Sequence, residues 1–397
     1  MATQHSSPLP LSGYRILDLT IARAGPVAVR LLSDWGADVI RIDPPGRKPT
    51  LGPRRGSDEQ NLHRNKRSLS LNLKTPEGMA VLRKLVERSD VVVENFRASV
   101  MEGLGLSYEA LRAVKPRIIL ASISGFGQTG PYAARPGVDQ IVQGISGLSS
   151  VTGAAGTGPW RTGIAISDTT AGMFLGQGIL LALLHRERTG EGQWVHTSLL
   201  EAMLNKLDFQ ATRYTVDGHV PRQEGNSHPT IVPMGTFDAN DGKVNICGPG
   251  AGMWSKLCEV LGATHLEQDE RYRDAPARLA HRRELEEALN AITRGHTVAD
   301  LVRRLNEAGV PCGPVYDIGQ AFEDPQARHL RMTRPAVHRE LGPLELLRSP
   351  INLSACPHPE TFASAAPDAG ADTDAVLREL GYDEAAISRM RAGEAVA

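Results

Sequence analysis

Residues 14–43, YRILDLTIARAGPVAVRLLSDWGADVIRID, decide the fold. YRILDLT is an apolar run with branched side chains and reads as a strand. AGPVAVRLLSDWG repeats its apolar residues at helical spacing, and ADVIRID returns to a second strand. Strand, helix and strand in so short a run make a βαβ unit, whose two strands must lie parallel. The alternation continues in SLSLNL (68–73), a helix from Pro76 to Arg88, the strand SDVVVENF (89–96), the helix YEALRAVKP (108–116) and the strand RIILASISGFG (117–127). The expected fold class is therefore α/β, with a mainly parallel sheet covered on both faces.

Further along, QWVHTSLLEAMLN reads as a short strand running into a helix, and the texture then changes. Residues 225–242 are rich in Gly, Pro, Asn and Asp, which marks a linker or loop. The strand GKVNICG and helices near 253–262, 278–292 and 298–308 form a second unit. From about 330 the chain reads as short strands broken by Pro and Gly, 357–372 as a tether, and 373–393 as a helical pair capped by Thr373 or Asp374. The division expected is 1–215 with 331–397 as a large domain, 216–224 as a linker and 225–330 as a small α+β domain.

At 397 residues the chain exceeds one ordinary core, and its formal net charge of -1 gives no net basic field for nucleic acid or a membrane surface. The opening MATQHSSPLP lacks the charged start and apolar core of a leader. The longest uncharged apolar run, Thr169 to Leu184, is interrupted by glycines and ends at His185-Arg186, so a buried helix is expected there rather than a span. The four cysteines are scattered with no CxxC pair, which points to a reducing, cytoplasmic setting and to no metal site.

Asp43 ends the second strand where dinucleotide folds often hold a ribose. The turn before the first helix reads TIARAGP, however, and lacks the glycines of G-x-G-x-x-G. No Walker A loop, HExxH or G-x-S-x-G elbow is present. Two features remain. Arg64, Lys66, Arg67 and Lys74 crowd HRNKRSLSLNLK (63–74), either as a solvated face or as a clamp for an anionic ligand, and Arg97 follows a buried-type strand at its carboxyl end. Phe96 beside it reads as packing or as a base-stacking ring. Asp168 stands alone in GIAISDTTAG (163–172), between apolar segments and among small residues. A carboxylate there is either the N-cap of the helix that follows or a nucleophile that takes up an acyl group.

LSGYRILDLT, AGPVAVRLLSDWGADVIRID, NKRSLSLNLKTPEG, VVVENFRASVMEGLGL, SGFGQTGPYAARPGVDQIVQGISGLSSVTG, HRERTGEGQWVHTSLLEAM and GVPCGPVYDIGQAFEDPQ together resemble the family III CoA-transferases, the group that contains formyl-CoA transferase and carnitine CoA-transferase. The resemblance runs in order from about residue 10 to the final helix. It implies a Rossmann-like large domain built from both chain ends, a smaller domain from the middle, and an interlocked homodimer. It implies Asp168 as the nucleophile, forming an aspartyl anhydride and then an aspartyl-CoA thioester. It also implies that CoA is a substrate rather than a resident cofactor, and that the partners are an acyl-CoA donor and a carboxylic acid acceptor.

By the same resemblance Asn72 and Lys74, with Asn95, Phe96 and Arg97, bind CoA. Arg135 and Asp139 flank the segment facing the nucleophile. Arg23 and Ala24, with Gly225, Asn226 and His228 of a closing loop, face the substrate. Three departures weigh against formyl-CoA and oxalate: Arg23 replaces a substrate-contacting glutamine, Gly103 replaces a CoA-contacting arginine, and His-Pro replaces a glycine run in the loop. An arginine at 23 suits a dicarboxylic acid, with succinyl-CoA as a donor. Two other readings are an α-methylacyl-CoA racemase, whose G-H-D motif here reads Gly137-Val138-Asp139 without the titratable group, and a non-catalytic CoA-binding protein.

Overall fold

The computed structural model describes residues 8–46, 52–53 and 55–397; residues 1–7, on which the leader reading partly rests, lie outside them. The described chain divides into two compact units. One holds the residues up to Leu148, Arg161–His219 and Arg331–Ala397, and the other holds Ser149–Trp160 and Val220–Leu330.

In the first unit, β1 (Arg15–Asp18), β2 (Asp38–Asp43), β3 (Lys66–Ser70), β4 (Val91–Glu94), β5 (Ile119–Ser124) and β6 (Trp194–Ser198) form one parallel sheet in the order β3-β2-β1-β4-β5-β6. The strand order reverses between β1 and β4. Open α/β sheets hold ligands beyond the carboxyl ends of the strands at such a point.

Both sheet faces are buried along β1, β4 and β5, which is why those strands carry apolar runs. Ile16, Val39, Val91, Val93, Ile119 and Ala121 face one core, shared with the helices Ala24–Ser33 and Ile166–Thr189. Leu17, Ile40, Leu69, Val92 and Leu120 face the other, shared with Pro76–Glu87, Tyr108–Val114 and the C-terminal pair Thr373–Glu379 and Glu384–Ala392. Each fully buried Leu or Val contributes about 1.5–3 kcal/mol.

The Ile166–Thr189 helix is long and apolar enough by composition to cross a bilayer, but half of its most apolar stretch is buried. It presses on Ala24–Ser33 through Gly172, where a Cβ would stand 2.5 Å from the carbonyl oxygen of Ala24. It is a core helix.

Several expectations need correction. Residues 149–160, assigned to the large domain, join the second unit, where Gly225 N–H donates to the Gly153 carbonyl at 3.0 Å; the expected linker 216–224 is split at Val220. The segment 357–372 is not a tether, because Ala365 and Ala366 are buried and Gly370 N–H donates to the Ser68 hydroxyl at 2.8 Å. The C-terminal helix is preceded by Asp372, not capped by Thr373 or Asp374. The Asp372 carboxylate accepts from Ser68 N–H at 2.8 Å and the Thr373 hydroxyl from Ser70 N–H at 3.1 Å, so both are committed to β3.

The second unit has an antiparallel sheet of β7 (Met234–Asp238), β8 (Lys243–Cys247) and β9 (Cys312–Pro314). Phe237, Val244 and Ile246 pack there against Trp254, Leu257, Leu285, Leu289 and Leu301 from the helices Ala251–Leu261, Arg282–Thr293 and Val298–Glu307. The antiparallel pair β10 (Thr333–His338) and β11 (Gly342–Leu347) belongs to the first unit.

Candidate active site

Asp168 is the third residue of the Ile166–Thr189 helix. The N-cap position is Ala165, so the capping reading of Asp168 does not hold. In the first turn its carboxylate lies at the positive end of the helix dipole, which favours a negative charge. Burial outweighs this and pushes the carboxyl up to about 6; the charge of Asp139 adds to the rise and Arg23 opposes it. At pH 7 a group of that pKa is roughly nine-tenths ionised. Among the described residues the Asp168 carboxylate accepts no hydrogen bond, so its lone pairs are uncommitted.

The position of this carboxylate is set by its neighbour. Asp139, the buried first residue of the Asp139–Ile145 helix, accepts at Oδ1 from the Ser167 backbone N–H at 3.0 Å and from the Ser167 hydroxyl at 2.6 Å. Its Oδ2 accepts from Gln143 Nε2 at 2.8 Å and from Arg161 Nη2 at 3.2 Å. Gln143 Oε1 in turn accepts Thr162 N–H at 2.9 Å. Asp139 thus fastens the helix start that carries Asp168.

Arg23 directly precedes the Ala24–Ser33 helix, and its Nη2 donates to Asp58 Oδ2 at 2.7 Å. One such contact leaves a two-donor edge of the guanidinium for a carboxylate. Ala24 is buried and makes the close approach to Gly172. Across the sheet reversal, Asn95 Oδ1 accepts Ile21 N–H at 2.8 Å and Asn95 Nδ2 donates to the Ile21 carbonyl at 2.7 Å. That pair of bonds ties the loop after β4 to the loop after β1.

Of the other expected ligand residues, Lys74 and Arg97 are exposed, at the carboxyl ends of β3 and β4. Asn72 accepts Lys74 N–H at 3.1 Å and donates to the Glu394 carbonyl at 3.2 Å, while Phe96 packs at the edge of the second core. Arg135 is exposed, with its guanidinium 3.7 Å from the Tyr132 ring centroid. Gly225, Asn226 and His228 lie in the second unit beside a cavity of about 640 Å³ that Met234, Cys247 and Cys312 also line. His228 Nδ1 accepts the N–H groups of Thr230 and Ile231 at 3.2 and 3.1 Å.

The basic cluster does not form a clamp. Arg64 is buried against Asp34 at 2.6 Å, Lys66 is buried against Asp18 at 2.8 Å, and Arg67 binds Asp38 at 2.8 Å. Only Lys74 of that set is left to meet a ligand. Asp58, Gln143, Arg161 and Ser167 went unnoticed in the sequence; the i,i+4 spacing of Asp139 and Gln143 was the one available signal.

The chain matches the model of CoA-transferase family III over residues 11–373. It is 38% identical over 386 residues to a succinate–glutarate CoA-transferase of Agrobacterium fabrum, covering 94% of this chain and 96% of that one. It is 34% identical over 359 residues to a succinyl-CoA–D-citramalate CoA-transferase of Chloroflexus aurantiacus, covering 88% and 89%. A solved CaiB/BaiF family protein from Brucella suis superposes with a TM-score of 0.84 at 34% identity, covering 94% of this chain and 100% of that one. With Asp168 unpartnered among the described residues in a half-buried first turn and these relatives matched nearly end to end, the chain belongs to the family III CoA-transferases.

Proposed function

We propose that the chain moves CoA from succinyl-CoA or a similar acyl-CoA to a dicarboxylic acid, with Asp168 as the covalent carrier. The observation that carries this reading is the Asp168 carboxylate, raised to about 6 by burial and free of hydrogen-bond partners among the described residues. The names of the relatives support the acid class, since they act on glutarate and citramalate.

In the first step the Asp168 carboxylate attacks the thioester carbon, forming an aspartyl–acyl anhydride and releasing CoA thiolate. The thiolate attacks the aspartyl carbonyl, giving aspartyl-CoA thioester and the donor's free acid. The acceptor carboxylate attacks that thioester, forming a second anhydride and thiolate. The thiolate then takes the acceptor's acyl carbon, restoring Asp168. Every intermediate is an activated acyl compound, so neither ATP nor a metal enters the balance, and water must be kept out.

Asn72, Lys74, Asn95, Phe96 and Arg97 are proposed to hold CoA, with Arg135 and Asp139 near the nucleophile. Arg23 is proposed to hold the acceptor's second carboxylate; Ala24, Gly225, Asn226 and His228 are proposed substrate neighbours. A homodimer is proposed on the apolar side chains Met173, Phe174, Leu180, Leu181 and Leu184, all exposed on the Asp168 helix. The test is CoA transfer from succinyl-CoA to glutarate without ATP, followed by chromatography. The wild type is expected to form glutaryl-CoA, and Asp168→Asn to lose about a thousandfold or more in rate. Transfer at an undiminished rate in Asp168→Asn contradicts the reading.

A further inference from the structure

Glu94, the last residue of β4, is 3% exposed, and among the described residues no cation pairs with it. An unpaired buried carboxyl is costly to keep, so its surroundings call for an account. Its Oε2 accepts the backbone N–H of Phe96 at 2.8 Å, and it is also hydrogen-bonded to the Ser122 side chain. Ser122 Oγ accepts the indole N–H of Trp194 at 2.9 Å, so the serine hydrogen is free to point to Glu94. A chain of hydrogen bonds therefore runs from β6 through β5 to β4 and ends on the turn Asn95–Arg97. Asn95 fixes the same turn from the β1 side through Ile21.

We propose that Glu94 is a positioning residue for CoA binding, holding the Asn95–Arg97 turn in shape through the Trp194–Ser122–Glu94–Phe96 chain. The proposal rests on the reading that this turn binds CoA. Glu94 borders a cavity of about 460 Å³, and the charged or titratable groups that share its lining are Arg97, Glu102, Tyr108 and Glu109. Burial pushes the Glu94 carboxyl up to about 7, while the bonds from Ser122 and Phe96 oppose the rise. The group therefore changes charge near neutrality, in direct contact with the turn. Glutamine keeps an acceptor at the same place, whereas leucine fills the space without one.

The test measures CoA affinity by calorimetry, the KM for acyl-CoA and kcat in Glu94→Leu, Glu94→Gln and Ser122→Ala. It also follows the indole N–H resonance of Trp194 through pH 5–9, assigned with Trp194→Phe. Glu94→Leu is expected to raise Kd and KM about tenfold or more with kcat within threefold, and Glu94→Gln to restore both. Because the His196 ring lies 5.0 Å from the Trp194 ring, the titration is followed in a His196→Phe background, where the Trp194 resonance is expected to titrate near neutral pH and to stay flat once Glu94→Gln or Ser122→Ala is added. If Glu94→Leu does not fold, Ser122→Ala decides, with a raised Kd expected. A loss of kcat at unchanged Kd, equal effects of Gln and Leu, or a Trp194 resonance that titrates alike in all variants overturns the proposal. Arg97→Ala separates the two readings. A raised Kd there with Glu94 variants unchanged removes only the role of Glu94, and an unchanged Kd in Arg97→Ala removes the CoA reading of the turn.

Discussion

Arg23 is held by Asp58 through a single 2.7 Å contact, and the same guanidinium lowers the pKa of Asp168 against the effect of burial. It thus stands in electrostatic reach of Asp168 with donors to spare. Arg23→Ala is predicted to raise the KM for succinate or glutarate about tenfold or more, as expected for losing a charge-assisted pair. The KM for a monocarboxylate such as butyrate should change little. Initial rates on both acid classes check this, and equal changes on the two contradict the assignment.

The pH profile should report Asp168. The carboxylate must be ionised to attack, so kcat/KM is predicted to fall about tenfold per pH unit below about 6. Arg23 opposes the rise, so Arg23→Ala moves this limb to higher pH.

Folding raises the Asp168 carboxyl from 3.8 to about 6, and the folded state binds that proton more tightly. Stability linked to the group is full below pH 3.8 and is lost as pH climbs through about 6. Asp168→Asn is therefore predicted to stabilise the protein at pH 7–8 by about 1–2 kcal/mol, discounted for partial exposure. Thermal unfolding of the variant at pH 5 and pH 8 measures it, and the gain should shrink at the lower pH.

Gly172 sets the spacing between the helix bearing Asp168 and the helix that follows Arg23. A Cβ there meets the Ala24 carbonyl oxygen at 2.5 Å and Val27 Cβ at 2.8 Å. Gly172→Ala is predicted to cost about 1–3 kcal/mol by overpacking and to lower kcat by shifting the carboxylate. Denaturant unfolding and single-turnover rates separate the two effects.

Lys66 and Asp18 form a fully buried pair at 2.8 Å. Lys66→Met leaves Asp18 uncompensated and is predicted to cost about 3–5 kcal/mol, and adding Asp18→Asn should recover part of that loss. A double-mutant cycle in urea measures the coupling.

The contrast between Lys66 and Asp168 shows what one sequence reveals. The βαβ pattern of 14–43 and the apolar runs of β4 and β5 were legible because both sheet faces are buried, and period and length mark such strands directly. Asp168 was conspicuous as a lone carboxylate in an apolar setting, while its role came from resemblance. Lys66, Arg64 and Arg67 misled because charge count says nothing about where the partner lies: Asp18, Asp34 and Asp38 come from distant positions in the sequence. The Asp58–Arg23 contact and the Asp139–Ser167 clasp were hidden for the same reason. Residues 149–160 were misplaced because chain order does not record which unit a loop folds into.

Covalent transfer through Asp168 leaves an acyl-enzyme that a nucleophile can trap. The measurement is intact-protein and peptide mass spectrometry after incubation with succinyl-CoA and hydroxylamine, which captures an aspartyl anhydride or thioester as a hydroxamate. A hydroxamate is expected on Asp168 in the wild type and none in Asp168→Ala. Rapid CoA transfer with no adduct at Asp168, or with the same adduct in Asp168→Ala, would contradict transfer through Asp168.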